Sequence, residues 1–137
     1  MTHKNKQIII DAADCVLGRV ASFAAKQSLL GSSIIILNCN KALITGNKKN
    51  ILYEYKRARA RGGSSQKGPN ISKMPQKIMK RTIRGMLPYK QARGSMALKR
   101  IICYNETPKE FENAEKLSLK KPLQTKSITI EQLSREV

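Results

Sequence analysis

Gln7-Ile8-Ile9-Ile10-Asp11-Ala12-Ala13-Asp14-Cys15-Val16-Leu17-Gly18-Arg19-Val20-Ala21, with Ser33-Ile34-Ile35-Ile36-Leu37 a short way downstream, is the stretch on which the fold turns. Ile8 to Ile10 and Ser33 to Leu37 are apolar runs of strand length, rich in β-branched residues and bounded by polar ones. Between them Leu17, Val20, Ala21, Ala24, Ala25 and Leu29 recur at helical spacing, so one face of the intervening helix lies on a sheet. Asp14 stands where it can cap that helix, which spans about Cys15 to Leu30 and is closed by Gly31. Strand, helix, strand is a βαβ unit with a right-handed crossover, and all-apolar strands suit a parallel sheet covered on both faces. The turn after the first strand lacks G-x-G-x-x-G, which discards a dinucleotide site, and Gly18 is assigned to close packing of helix on strand.

Working outward, Ala42 to Thr45 reads as a third strand and Ile101-Ile102-Cys103-Tyr104 as the final strand of the sheet. Gly46-Asn47 supplies a turn and an N-cap for a helix from about Lys48 to Arg61, with Ile51, Leu52 and Tyr55 as its apolar stripe. Residues 62–69 form a glycine-rich loop; its P-loop-like spacing fails because Pro69 stands where the lysine belongs. Pro75 opens a short helix over residues 75–84 that stops before Gly85 and Pro88, and another helical stretch runs from about Gln91 to Lys99. Residues 105–126 are polar and interrupted by Pro108 and Pro122, and Thr129-Ile130-Glu131-Gln132 is a capping box for a short last helix.

The charge is far from balanced: 27 Lys and Arg face 9 Asp and Glu, a net charge of +18 in 137 residues. Residues 41–100 hold 17 cations against one carboxylate, whereas residues 1–40 hold four against two and residues 101–137 six against six. Excess charge confined to one block implies a binding surface for a polyanion, and nucleic acid is the expected partner. No apolar run approaches the roughly 20 residues of a membrane span, and the short apolar stretch near the N-terminus is no secretory core, so no membrane partner is expected and the protein should stay inside the cell. With 40% apolar residues the chain should fold into one compact domain. Cys15, Cys39 and Cys103 are odd in number and lack CxxC pairing, which supports neither a disulfide framework nor a zinc site. They read as buried free thiols.

Catalysis would need clustered proton-transfer or metal-binding groups, yet the first hundred residues offer only His3, Asp11, Asp14 and Glu54. We therefore expect no enzyme, no cofactor, no metal and no small-molecule substrate. Phe23, Phe111, Tyr53, Tyr55, Tyr89 and Tyr104 are few for recognition by base stacking and most look like core or boundary residues, so contacts to phosphate and sugar of folded RNA, reading shape more than sequence, are expected. The candidate RNA-binding residues are Lys48, Lys49, Lys56, Arg57, Arg59, Arg61, Lys67, Lys77, Lys80, Arg81, Arg84, Lys90, Arg93, Lys99 and Arg100. On the 75–84 helix Lys77, Lys80, Arg81 and Arg84 fall within an arc of about 100° opposite Ile78, Met79, Thr82 and Ile83. Arg57, Arg59, Arg61, Arg81, Arg84 and Arg93 are the more selective contacts, because a planar guanidinium can bridge phosphates or stack on a base.

Several segments, taken in order, resemble the universal large-subunit ribosomal protein thirteen family, in its archaeal and eukaryotic-type branch. They are Ile10-Asp11-Ala12, Leu17-Gly18-Arg19 with Ala21, Asn38, Lys41-Ala42, Ile44-Thr45-Gly46-Asn47, Lys67-Gly68-Pro69 and, most specifically, Arg81-Thr82-Ile83-Arg84-Gly85-Met86-Leu87-Pro88 with Arg93-Gly94, Ala97-Leu98-Lys99-Arg100 and Tyr104. The resemblance covers about residues 8–104. It implies a Rossmann-like α/β domain in three layers, with a short, mostly parallel four-stranded sheet between helices. On this reading residues 1–104 are an rRNA-binding domain and residues 105–137 a C-terminal extension. It also implies a structural constituent of the large ribosomal subunit in the cytoplasm, which stabilises large-subunit rRNA beside neighbouring ribosomal proteins. A free RNA-binding translational regulator is the alternative.

Overall fold

Three consecutive isoleucines in one strand and three in the next need cover on both faces, and the chain supplies it from two directions. The computed structural model describes residues 6–60, 72–121 and 125–136. In chain order the elements are β1 (Gln7–Asp11), α1 (Leu17–Leu29), β2 (Ser33–Leu37), β3 (Leu43–Thr45), α2 (Lys48–Ala60), α3 (Pro75–Gly85), α4 (Ala92–Lys99), β4 (Ile101–Cys103), β5 (Leu117–Ser118), β6 (Ser127–Thr129) and α5 (Ile130–Glu136), with 3-10 turns at Cys39–Lys41 and Lys109–Phe111. The main sheet has the order β4-β2-β1-β5 and every pair in it is parallel. Ile8, Ile9 and Ile10 lie beside Ile34, Ile35 and Ile36, which in turn neighbour Ile101, Ile102 and Cys103.

The steps β1 to β2 and β2 to β4 run the same way across the sheet, so right-handed connections place α1, α3 and α4 on one face. There α1 packs against both α3 and α4. Ile10, Ile34, Ile36, Val20, Met79, Ile83 and Ile101 form the centre of this core. The return from β4 to β5 crosses the whole sheet the other way, which assigns residues 104–116 to the opposite face. That layer includes Tyr104 and Phe111, whose rings meet at 6.0 Å. Ile35 and Leu37, which point to that side, are buried.

The α/β class and the mostly parallel four-stranded sheet agree with the sequence reading, but one strand is exchanged. Ala42 to Thr45 was expected in the sheet; Leu43–Thr45 instead pairs antiparallel with β6, Ile44 opposite Ile128. Both edges of β2 are already taken, by β1 and β4. Asn38, in the left-handed region at φ 58°, and the 3-10 turn after it lead the chain away from the sheet. The fourth strand is Leu117–Ser118, in register with Ile10 and Asp11.

Two local expectations are also corrected. Asp14 does not cap α1, which starts after Val16 without a side-chain cap. Asp14 itself has φ 60° and is exposed, so a further turn intervenes before the helix. Asp11 does the local work: its Oδ1 accepts the Ala13 N–H at 3.1 Å and Asn38 Nδ2 at 2.9 Å. A Cβ on Gly18 would meet open space, so close packing is not why glycine stands there.

Other punctuation behaves as read. Gly31 follows α1 at φ 102°, a conformation that glycine adopts without strain. Pro75 begins α3, and Asn47 Oδ1 accepts the Lys49 N–H at 3.0 Å. The Thr129–Gln132 capping box closes reciprocally, Gln132 N–H to Thr129 Oγ1 at 3.1 Å and Thr129 N–H to Gln132 Oε1 at 3.2 Å. The helix it starts delivers Ile130 and Leu133, both fully buried, into the core. Cys15, Cys39 and Cys103 are free thiols, the first two buried and the third half-buried. The glycine-rich loop at 62–69 lies outside the described residues.

Candidate nucleic-acid interface

α2 holds the first block of charge. Half-buried Ile51, Leu52 and Tyr55 pack it on the core, none of its residues is fully buried, and Lys48, Lys49, Lys56, Arg57 and Arg59 are exposed. Burial raises the Tyr55 phenol above its usual 10.0, so this hydroxyl stays neutral. Lys48 Nζ reaches Glu136 at 3.0 Å, an exposed pair that ties the start of α2 to the end of α5.

α3 is the more sharply divided helix. Ile78, Met79 and Ile83 are at most 4% exposed, whereas Lys77, Arg81 and Arg84 face solvent. Arg81 stands between two hollows: one of about 370 Å³ is shared with Glu54, Tyr55 and Ala58 of α2 and Thr82 of α3, and one of about 150 Å³ is lined by Arg84, Gly85 and Tyr89. The Arg84 guanidinium lies 4.3 Å from the centre of the Tyr89 ring. Such stacking fixes the plane of the arginine and leaves its second face and edge available to a base or phosphate. The sequence reading grouped Tyr89 with the few aromatics, most of them expected in the core or at its boundary; it is exposed, and its place beside four cations at positions 81, 84, 90 and 93 was the signal that it supports the basic face.

Lys90, Arg93 and Lys99 are exposed around α4. Two members of the candidate set turn inward instead. Lys80 Nζ donates to the Leu98 carbonyl at 2.8 Å and to the Ile101 carbonyl, so it joins the end of α4 to β4. Arg100 Nη1 donates to the Ser28 carbonyl at 2.8 Å near the end of α1. Burial lowers the Lys80 ammonium from its usual 10.5. It lies close enough to the Cys103 sulfur to help hold that thiol below the usual 9.0, after the hydrogen bond from Cys39. Cys39 itself is pushed far up by that pairing and by burial. Arg61 and Lys67 fall outside the described residues, as does His3.

The candidate interface therefore comprises α2, the exposed side of α3 and the surface around α4, with Glu54 as the single carboxylate on those three helices. A cationic surface with so little internal neutralisation is suited to a polyanion. Asp11 is engaged with Ala13 and Asn38, whose Oδ1 in turn accepts Thr107 Oγ1 at 3.2 Å; Asp14 and Glu54 are exposed on different elements. Among the described residues no three His, Cys, Asp or Glu side chains come together to hold a metal.

Fold and surface together define a small, strongly basic, Rossmann-like α/β protein whose charge is displayed on helices at one side of the sheet. The family model described as Ribosomal protein L13 matches residues 5–110, and the chain belongs to that family. It is 46% identical over 112 residues to the large ribosomal subunit protein uL13 of Methanosarcina barkeri, covering 81% of this chain and 79% of that one. It is 41% identical over 133 residues to the uL13 proteins of Archaeoglobus fulgidus, with 93% and 85% covered, and of Thermoplasma volcanium, with 94% and 96% covered. These relatives are archaeal, in accord with the branch that the sequence resembles.

Proposed function

We propose that this protein is a structural constituent of the large ribosomal subunit in the cytoplasm. It binds folded large-subunit rRNA, stabilises it during assembly and translation, and carries out no catalysis. The observation that carries this reading is Arg81, set between a hollow shared with α2 and the Arg84–Tyr89 stack. That arrangement presents guanidinium edges and planes from a rigid helix, and the surrounding lysines of α2 and α3 supply non-specific attraction to phosphate. The names of the relatives, large ribosomal subunit protein uL13, support the assignment to the subunit. Lys80 and Arg100 serve the interface indirectly, by fixing the elements that carry it. Neighbouring ribosomal proteins are the other partners.

The test is charge reversal of Lys77, Arg81 and Arg84 in the full chain, with binding to a large-subunit rRNA transcript followed across salt concentrations. Losing three phosphate contacts should flatten the slope of log K against log salt by about two to three units. Unchanged affinity and slope would remove α3 from the interface. Sedimentation of the wild type in high salt separates the alternatives: retention with the large subunit fits a structural constituent, and recovery only in light fractions fits a free regulator.

A further inference from the structure

The groove between α1 and residues 118–121 lies at the β5 edge of the sheet, whereas α3 and α4 pack beside β4 at the other edge. Three strand spacings, about 14 Å, separate those edges. Arg19, Ser22, Phe23 and Lys26 line its helical side, and Leu119, Lys120 and Lys121 lie on the other, around a hollow of about 570 Å³. The four cations come from segments that carry little net charge in the sequence, and only folding brings them together. Phe23 and Leu119 pack on the core and give the groove a fixed apolar floor.

We infer that this groove is a second RNA-contact surface, which holds a single-stranded or looped segment with its phosphates on Arg19, Lys26, Lys120 and Lys121 and an unpaired base against Phe23. The inference rests on the proposed role in rRNA binding and extends it: the protein would bridge two RNA segments across its sheet. Arg19 and Lys26 are two helical turns apart on one side of α1, about 10 Å along its axis. Phosphates alone would need no apolar floor, and a half-buried ring between cations offers a face on which an unstacked base can rest. A second hollow of about 660 Å³, lined in part by Lys6, Gln27, Lys116 and Leu117, shares Phe23 and prolongs the groove along β5, as an extended polymer requires. Glu115 lies in that extension, and Asp14 stands 3.8 Å from Lys120 in an exposed pair worth little to either. An acidic polypeptide adding to the sheet would find only a two-residue edge strand as its template, which disfavours it.

The experiment is hydroxyl-radical footprinting of a large-subunit rRNA transcript with the full chain, with Arg19→Glu/Lys26→Glu/Lys121→Glu, and with Arg81→Glu/Arg84→Glu. Wild type should protect two separate segments. The groove variant should lose one of them and flatten the salt slope by about two to three units, and the α3 variant should lose the other. Phe23→Leu, which keeps the apolar floor, should weaken binding at the groove segment about tenfold. The milder Lys26→Gln/Lys121→Gln should reproduce part of the loss if charge reversal impairs folding. Protection and slope unchanged in every groove variant, with loss in the α3 variant, would overturn the inference and leave the proposed function standing. Unchanged binding in both sets would overturn the inference and also remove α3 from the proposed interface. A groove variant that keeps all RNA protection but drops a neighbouring protein from a reconstituted subunit would overturn the RNA assignment in favour of a polypeptide.

Discussion

Gly94 is buried where α4 passes the turn at Pro88–Tyr89, and a Cβ there would overlap the Pro88 carbonyl and lie 2.9 Å from Tyr89 N. Backbone cannot yield as a side-chain tip can, so Gly94→Ala should cost about 3 kcal/mol. Because Tyr89 supports Arg84, the same change should weaken RNA binding as well; a urea transition equal to wild type would show that the turn is free to move. Lys80 makes a different case. On a helical wheel it lies at the margin of the basic arc, one step from Ile83, and sequence alone could not tell a solvent-facing ammonium from one folded back onto the carbonyls of Leu98 and Ile101. Lys80→Met should cost about 1–3 kcal/mol through carbonyls left unpaired, with a smaller effect on RNA affinity than Arg81→Met. It should also raise the Cys103 pKa toward 9.0, because the ammonium stabilises the thiolate. In wild type the thiolate therefore forms at lower pH, and alkylation of Cys103 should shift to higher pH in the variant. An unmoved alkylation profile would separate Lys80 from the thiol.

At the scale of elements, α3 joins the core to the proposed interface with one amphipathic turn pattern. Ile83 is fully buried, so Ile83→Asp places a carboxylate without a partner beneath Arg81 and Arg84. The expected loss is on the order of 4 kcal/mol, read by chemical denaturation, together with loss of RNA binding; a stable, cooperative variant would contradict the burial. The helices were legible because apolar spacing, Pro75, Asn47 and the Thr129–Gln132 box act within a few residues of one another. β1 and β2 were legible because strands covered on both faces carry unbroken isoleucine. β3 was misplaced because its partner, β6, lies more than eighty residues away, and β5 escaped notice because two residues at a sheet edge leave no periodic signal. The α1 groove was missed for a related reason: Arg19 and Lys26 share a helical side, but their complement at Lys120 and Lys121 is supplied only by the fold.

Across the whole molecule, the segment that looks least like a core in the sequence is woven into it. Residues 105–137 have no net charge, yet they supply the layer over the second face of the sheet, the edge strand β5, the partner of β3, and the fully buried Ile130 and Leu133. Ile130 N–H also donates to the Ala42 carbonyl at 2.9 Å, which anchors α5 to the entry of β3. Removing two fully buried aliphatic side chains costs about 2–5 kcal/mol each, a sum comparable to the roughly 5–15 kcal/mol stability of a whole domain. A chain ending at Tyr104 would lose those side chains and also expose Ile35 and Leu37. It should show no cooperative urea transition by far-ultraviolet circular dichroism, whereas Ile130→Ala/Leu133→Ala in the full chain should retain a transition at lower urea. If the chain ending at Tyr104 unfolds cooperatively near the wild-type midpoint, residues 1–104 are an independent folding unit and the C-terminal layer is an addition to it. If it fails, the basic face depends on the neutral tail to hold α3 in place, and RNA binding should fall with the tail although none of the charged residues of α2, α3 and α4 has been removed.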